Sequence, residues 1–158
     1  MNKDLFDYLK SHGISYKEYH HPAMFKVADE EKIKANIPGM KSKNLFLKDS
    51  NGKFYLIIWE AYSKLPINKL KKRLKVKDLE FASPEELKSK LNVLPGSVSI
   101  FAMINAKDAH LIIDSRLWLS ELSGYHPNDN TSTLVISKAN LHNFVLSLKI
   151  QYEVVSFE

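Results

Sequence analysis

Residues 43–59 read KNLFLKDSNGKFYLIIW, and this stretch decides the architecture. Asn51-Gly52 stands between two apolar runs, the strongest short-range signal for a β-hairpin, because the tight turn requires residues that accept positive φ. The second run, Phe54 to Trp59, is almost wholly apolar, as a strand covered on both faces must be, so it belongs in the centre of a sheet. The first run begins oddly. Lys43 and Asn44 are residues that strands disfavour, and they open the hairpin just after the Pro38-Gly39 turn.

Outward from the hairpin, helices and strands alternate without repeats. On the N-terminal side, Asn2 is placed to cap a helix whose Leu5, Phe6 and Leu9 share one face and which Gly13 ends. A short strand over ISYKEYHH (14–21) follows. Asp29-Glu30-Glu31 then opens a second helix with acidic residues at its N-terminus, terminated by Pro38-Gly39. On the C-terminal side, Pro66 starts a helix with Ile67, Leu70 and Leu74 inward and Lys69, Lys71, Lys72, Arg73 and Lys75 around the remainder. SPEELKSKL (83–91) carries a capping box, with Ser83 as cap, Pro84 at the first helical position and Glu86 three residues after the cap. After the Pro95-Gly96 turn the expected order is strands SVSIFAMI (97–104) and HLIID (110–114), a short helix near SRLWLSEL, a loop SGYHPNDN, strand TSTLVIS, helix KANLHNFVLSL and a last strand IQYEVVSF. Hairpins dominate the middle, so the expected fold is α+β: a single domain over residues 1–158 with a mixed central sheet and packed helices, and not a doubly wound parallel sheet.

Composition narrows the chemistry. At 158 residues with 44% hydrophobic content, one core is expected. The absence of cysteine removes disulfides and thiolate metal sites. The segment MNKDLFDYLK carries charge where a signal peptide is apolar, and no run approaches about 18 uncharged apolar residues, so a cytoplasmic protein without a membrane segment is expected. A net charge of +5 fits an anionic partner. His20 and His21 point to opposite faces of a strand, and His12, His110, His126 and His142 lack ligand spacing, so no metal is expected. Glycine patterns for phosphate or dinucleotide binding are missing.

Three segments occur together and in order: KNLFLKDSNGKFYL, LEFASPEELKSKLNVLPGSVS and GYHPNDNTSTLVIS. With them the chain resembles, over nearly its whole length, the YbaK/prolyl-tRNA synthetase editing-domain family, specifically its freestanding ProXp-ala (PrdX-like) aminoacyl-tRNA deacylases. The resemblance implies hydrolysis of the ester joining a wrong amino acid to tRNA(Pro), most often alanine, without metal or cofactor. It implies the tRNA(Pro) acceptor end as partner, with prolyl-tRNA synthetase as a second candidate. Lys43 matches the family's essential lysine and Asn44 its neighbour. Gly96 opens the substrate loop, continued by Ser97, Val98, Ser99, Ile100, Phe101 and Ala102, and His126 and Asn130 fall in the HPxxN stretch near the pocket.

That assignment is chemically coherent. An aminoacyl ester is already activated, so an enzyme need only position water, stabilise the developing oxyanion and hold the terminal adenosine. A lysine ammonium, an asparagine amide and the N–H groups of a glycine loop supply such contacts. Lys69, Lys71, Lys72, Arg73 and Lys75 are the candidates for the acceptor stem. The chain departs from the family's GSVSPFGL loop, with Ile100 for proline and Ala102 for the second glycine. If these positions hold the aminoacyl group, the pocket is at least as small as in alanine-specific relatives. The alternatives are a deacylase for serine, threonine or cysteine, and an inactive tRNA- or synthetase-binding module of the same fold.

Overall fold

The hairpin over residues 43–59 forms the middle of the sheet. The computed structural model describes residues 3–23 and 37–157; the helix expected to open at Asp29-Glu30-Glu31 lies outside them. Among the described residues eight strands form one sheet: β1 (Lys17–His20), β2 (Met40–Asp49), β3 (Phe54–Glu60), β4 (Leu79–Phe81), β5 (His110–Asp114), β6 (Leu122–Tyr125), β7 (Ser132–Ser137) and β8 (Tyr152–Val155). Their spatial order is β1-β7-β6-β2-β3-β5-β8, with β4 also paired to β2. β2 and β3 run antiparallel in unbroken register from Ser42↔Glu60 to Lys48↔Phe54. The turn between them holds Gly52 at φ +83°, and the Asp49 carboxylate accepts from the N–H groups of Asn51 and Lys53 at 2.9 and 3.0 Å.

β3 lies between β2 and β5, and its pairing to β5, like that of β5 to β8, is parallel. The sheet is therefore mixed, and its apolar central strands are covered on both faces. On one face Phe46, Leu56, Ile58, Leu111 and Ile113 pack with Leu5 and Leu9 of α1 (Lys3–Ser11). On the other, Leu47, Tyr55, Ile57, Trp59 and Ile112 pack against Leu70 of α2 (Ile67–Leu74). Strand alternation divides β2 and β3 between the two cores.

Local signals form where the chain supplies them. Ser83 Oγ accepts from the Glu86 N–H at 3.1 Å and the Glu86 carboxylate accepts from the Ser83 N–H at 2.9 Å, completing the capping box of α3 (Pro84–Glu86). A π-helical turn, Leu87–Leu91, continues it. After α4 (Ser115–Leu119) and β7, Ser137 caps α5 (Lys138–Leu148), which buries Leu141, Phe144, Val145 and Leu148.

Three expectations are corrected. The stretch 97–104 is no strand: Ile100–Ile104 is a 3-10 helix with Ile100 to Met103 fully buried and Ser99 capping the Phe101 N–H. An unbroken apolar run has no period, so burial on all sides reads alike for strand and helix. The stretch 122–125, divided in the sequence reading between helix and loop, is β6, paired to both β2 and β7. Finally, β2 starts at Met40, which places Lys43 and Asn44 inside the strand. Among the described residues no helix is long and apolar enough to cross a membrane.

Candidate functional site

β2 changes neighbours along its length. It pairs with β6 only at Met40 and Lys41, and with β4 only from Leu47 to Asp49. Between these points one edge of β2 is covered by no described strand, and a pocket of about 360 Å³ opens there, within the size range of small-ligand sites. Lys41 to Phe46 form one wall, Gly96 and Val98 another, and His126 and Thr133 a third.

Asn44 joins these walls. Its Oδ1 accepts from the Ile100 N–H at 2.9 Å, and its Nδ2 donates to Ser42 Oγ at 3.0 Å. Ser42 Oγ in turn donates to the Gly124 carbonyl at 2.7 Å. The chain of bonds runs from β6 through β2 to the loop after Gly96, whose φ of +88° favours glycine. The loop divides at this anchor. Gly96 and Val98 line the pocket, whereas Ile100, Phe101 and Ala102 are fully buried in the core, together with Ser99. Ser97 is nearly buried.

Lys43 projects to the opposite face of β2, across from Trp59. Its Nζ donates to the Ser63 carbonyl at 2.5 Å. That carbonyl is held in place: the Ser63 N–H donates to Glu60 Oε2 at 3.2 Å, and Ser63 Oγ accepts from Arg116 Nη1 at 2.8 Å. Arg116 is itself fixed on Asp114, with Nη2 2.7 Å from Oδ2. Partial burial pushes the Lys43 pKa below the ordinary lysine value, and the negative charge of Glu60 opposes that shift.

His126 lies at the third wall with Nδ1 3.0 Å from the Ser132 carbonyl, which places a proton on Nδ1 and makes Nε2 the acceptor in the neutral ring. Asn130 belongs to the turn before β7 and does not line the pocket. The basic helix α2 packs on the sheet face opposite Phe46 and contributes nothing to the pocket lining. Its Arg73 is bound to Glu153 at 2.5 Å, while Lys69, Lys72 and Lys75 are exposed and Lys71 is half-buried.

The structure thus brings Lys43, Asn44, Gly96, Val98 and His126 to one pocket. Sequence reasoning missed Lys41, Ser42, Phe81 and Thr133, which also line it. Ser42 carried a usable signal, since a residue two positions from Asn44 shares its face of a strand. Among the described residues no three His, Asp or Glu side chains converge as metal ligands.

Residues 21–144 match the family model of the aminoacyl-tRNA editing domain. The chain is 30% identical over 135 residues to prolyl-tRNA editing protein ProX of Acetoanaerobium sticklandii, covering 84% of this chain and 82% of that protein. It is 26% identical over 162 residues to the prolyl-tRNA synthetase associated domain-containing protein 1 of Danio rerio, covering 100% of this chain and 88% of the other. A solved structure described as a proposed trans-editing enzyme for prolyl tRNA synthetase shares the fold, with a TM-score of 0.70 at 17% identity over 95% of this chain and 92% of that one.

Proposed function

This chain belongs to the aminoacyl-tRNA editing domain family, and we propose that it is a freestanding deacylase that clears mischarged tRNA(Pro), with alanine as the amino acid removed. The observation that carries the proposal is the convergence of Lys43, Gly96, Val98 and His126 on a pocket beside a strand edge that no described strand covers. In the reaction, water adds to the ester carbonyl carbon, the bond to the ribose oxygen breaks, and the proton released by water passes to that oxygen. No covalent intermediate is required. The Lys43 ammonium rests on a carbonyl acceptor, Ser63. It can turn from that acceptor to a phosphate or a developing oxyanion, where it stabilises negative charge. His126 stands at the same pocket with its Nδ1 held on the Ser132 carbonyl, a place from which an imidazole can take up a water or ribose hydroxyl proton.

Selectivity follows from size. Gly96 and Val98 border the pocket, and a packed wall resists a larger ring, whereas a missing methylene changes rates only by about 10- to 200-fold. Cognate prolyl-tRNA is spared on this reading. The positive surface carried by Lys69, Lys71, Lys72 and Lys75 is the candidate for acceptor-stem phosphates, and prolyl-tRNA synthetase is the candidate protein partner.

The test is a deacylation panel using tRNA(Pro) and tRNA(Ala) charged with alanine, proline, serine, threonine and cysteine. Alanine released from tRNA(Pro) and proline retained is the expected result. Hydrolysis of none, with tRNA binding preserved, would assign the chain to the binding-module class.

A further inference from the structure

Six consecutive residues of β2, Lys41 to Phe46, line the pocket. Side chains of a strand alternate between faces, so they cannot all reach one pocket through their side chains. Lys43 goes to Ser63 on one face and Asn44 to Ile100 on the other. What six consecutive residues share is the strand's edge, and the wall is therefore main chain.

Which main-chain groups face the pocket follows from the register. The Lys41 carbonyl accepts from the Ala61 N–H at 3.0 Å, so Lys41, and by alternation Lys43 and Leu45, direct their peptide groups toward β3. The Phe46 carbonyl accepts from the Ala82 N–H at 3.0 Å on the other edge. Asn44, two residues earlier in unbroken register, faces that same edge. β6 reaches only Lys41, and β4 begins only at Leu47. The Asn44 N–H and carbonyl consequently point into the pocket, past the end of both neighbours. The Asn44 side chain holds Ile100 and Ser42, which fixes the orientation of this peptide edge.

Building on the proposed function, we infer that the aminoacyl group docks on this edge as one residue of an added strand. Its carbonyl oxygen accepts from the Asn44 N–H, and its α-ammonium donates to the Asn44 carbonyl. An aminoacyl ester is the smallest group that presents a donor and an acceptor with the spacing of a strand residue, and a paired antiparallel residue exchanges these same two bonds. The arrangement recognises any α-amino acid through atoms common to all, and leaves the side chain to be judged by the walls around Val98. It also disfavours proline independently of size. The pyrrolidine ring removes the rotation about N–Cα by which an alanyl ammonium aligns with the strand carbonyl.

The test uses amide-linked, non-hydrolysable adenosine analogues carrying alanyl or propionyl groups, the second lacking the α-amine. Affinity is measured by calorimetry, and the Asn44 amide resonance is followed by NMR. The alanyl compound should bind about 10-fold or more tightly than the propionyl one, the scale of a hydrogen bond to a charged group. Both should move the Asn44 N–H signal, because the bond to the carbonyl does not need the amine. Equal affinities, an unmoved Asn44 signal, or binding of neither compound would each overturn the inference. Deacylation of Ala-tRNA(Pro), assayed on the same preparation, separates the outcomes: activity retained confines the failure to the docking mode, and activity absent removes the proposed function as well.

Discussion

Lys43 and Asn44, adjacent in sequence, are anchored on opposite faces of β2: the lysine donates to Ser63 at 2.5 Å, and the asparagine accepts from Ile100 at 2.9 Å. The asparagine fixes the loop, and the lysine rests its charge on a carbonyl that is itself held in place. Lys43→Ala should lower Ala-tRNA(Pro) deacylation by about 100-fold or more, the usual scale for removing one electrostatic contact of the transition state. Its melting temperature should stay close to that of the parent, since the ammonium is partly desolvated and its loss relieves that cost. Near-parental rates would remove Lys43 from the mechanism.

The same lysine sets a pH dependence. Its pKa is lowered by burial, so the charged form is lost at a pH below the ordinary lysine value of about 10.4. After correction for spontaneous ester hydrolysis, the enzymatic rate should fall on the alkaline side with a midpoint below that value. Lys43→Arg should lose this alkaline fall, because guanidinium does not titrate there.

Asn44→Ala should destabilise the fold by about 1–3 kcal/mol, the cost of leaving a largely buried donor such as the Ile100 N–H without its acceptor. Ile100→Pro removes the donor itself and should damage the same connection. Urea denaturation of both variants and of the double variant checks this. Costs that simply add would show that the two groups do not interact.

Val98 lines the pocket, while Ala102 is fully buried in the core. Val98→Ala should therefore raise cleavage of aminoacyl groups larger than alanine. Ala102→Gly should leave the order of substrates unchanged and cost about 1 kcal/mol of stability. A substrate profile that follows position 102 instead would place that residue at the pocket after all.

The lysines of α2 give a salt test. If Lys71, Lys72 and Lys75 each meet a phosphate, neutralising all three should reduce the slope of log affinity against log salt by roughly two to three. An unchanged slope would make this helix an ordinary solvated face, consistent with its absence from the pocket lining.

The hairpin was legible because its signals are local: Asn51-Gly52 and the apolar run on β3 suffice without knowledge of partners. The Ser83-Glu86 capping box was legible for the same reason. By contrast, Ser123 and Gly124 carry no strand propensity, and β6 exists because β2 and β7 pair with it. Ile100–Ile104 was misread because its neighbours, and not its period, decide its conformation. At the site, Lys43, Gly96 and His126, which line the pocket, were named through resemblance. The pocket's main wall was invisible, since it depends on where β2 exchanges one neighbour for another, which is a property of the assembled sheet.

The placement of β1 has a consequence for the order of events during synthesis. Among the described residues Lys17–His20 pairs only with β7, residues 132–135 in that register, and the Tyr8 hydroxyl lies 2.7 Å from that of Ser147 on α5. At a translation rate of about 5–20 residues per second, more than a hundred residues must be added before these partners exist, an interval on the order of ten seconds. Throughout it Leu5 and Leu9 lack the α5 members of their core, Leu141, Phe144, Val145 and Leu148. The nascent N-terminal helix is then a natural client for chaperones on the ribosome, and the hairpin in the middle of the chain is the first element that can form without waiting.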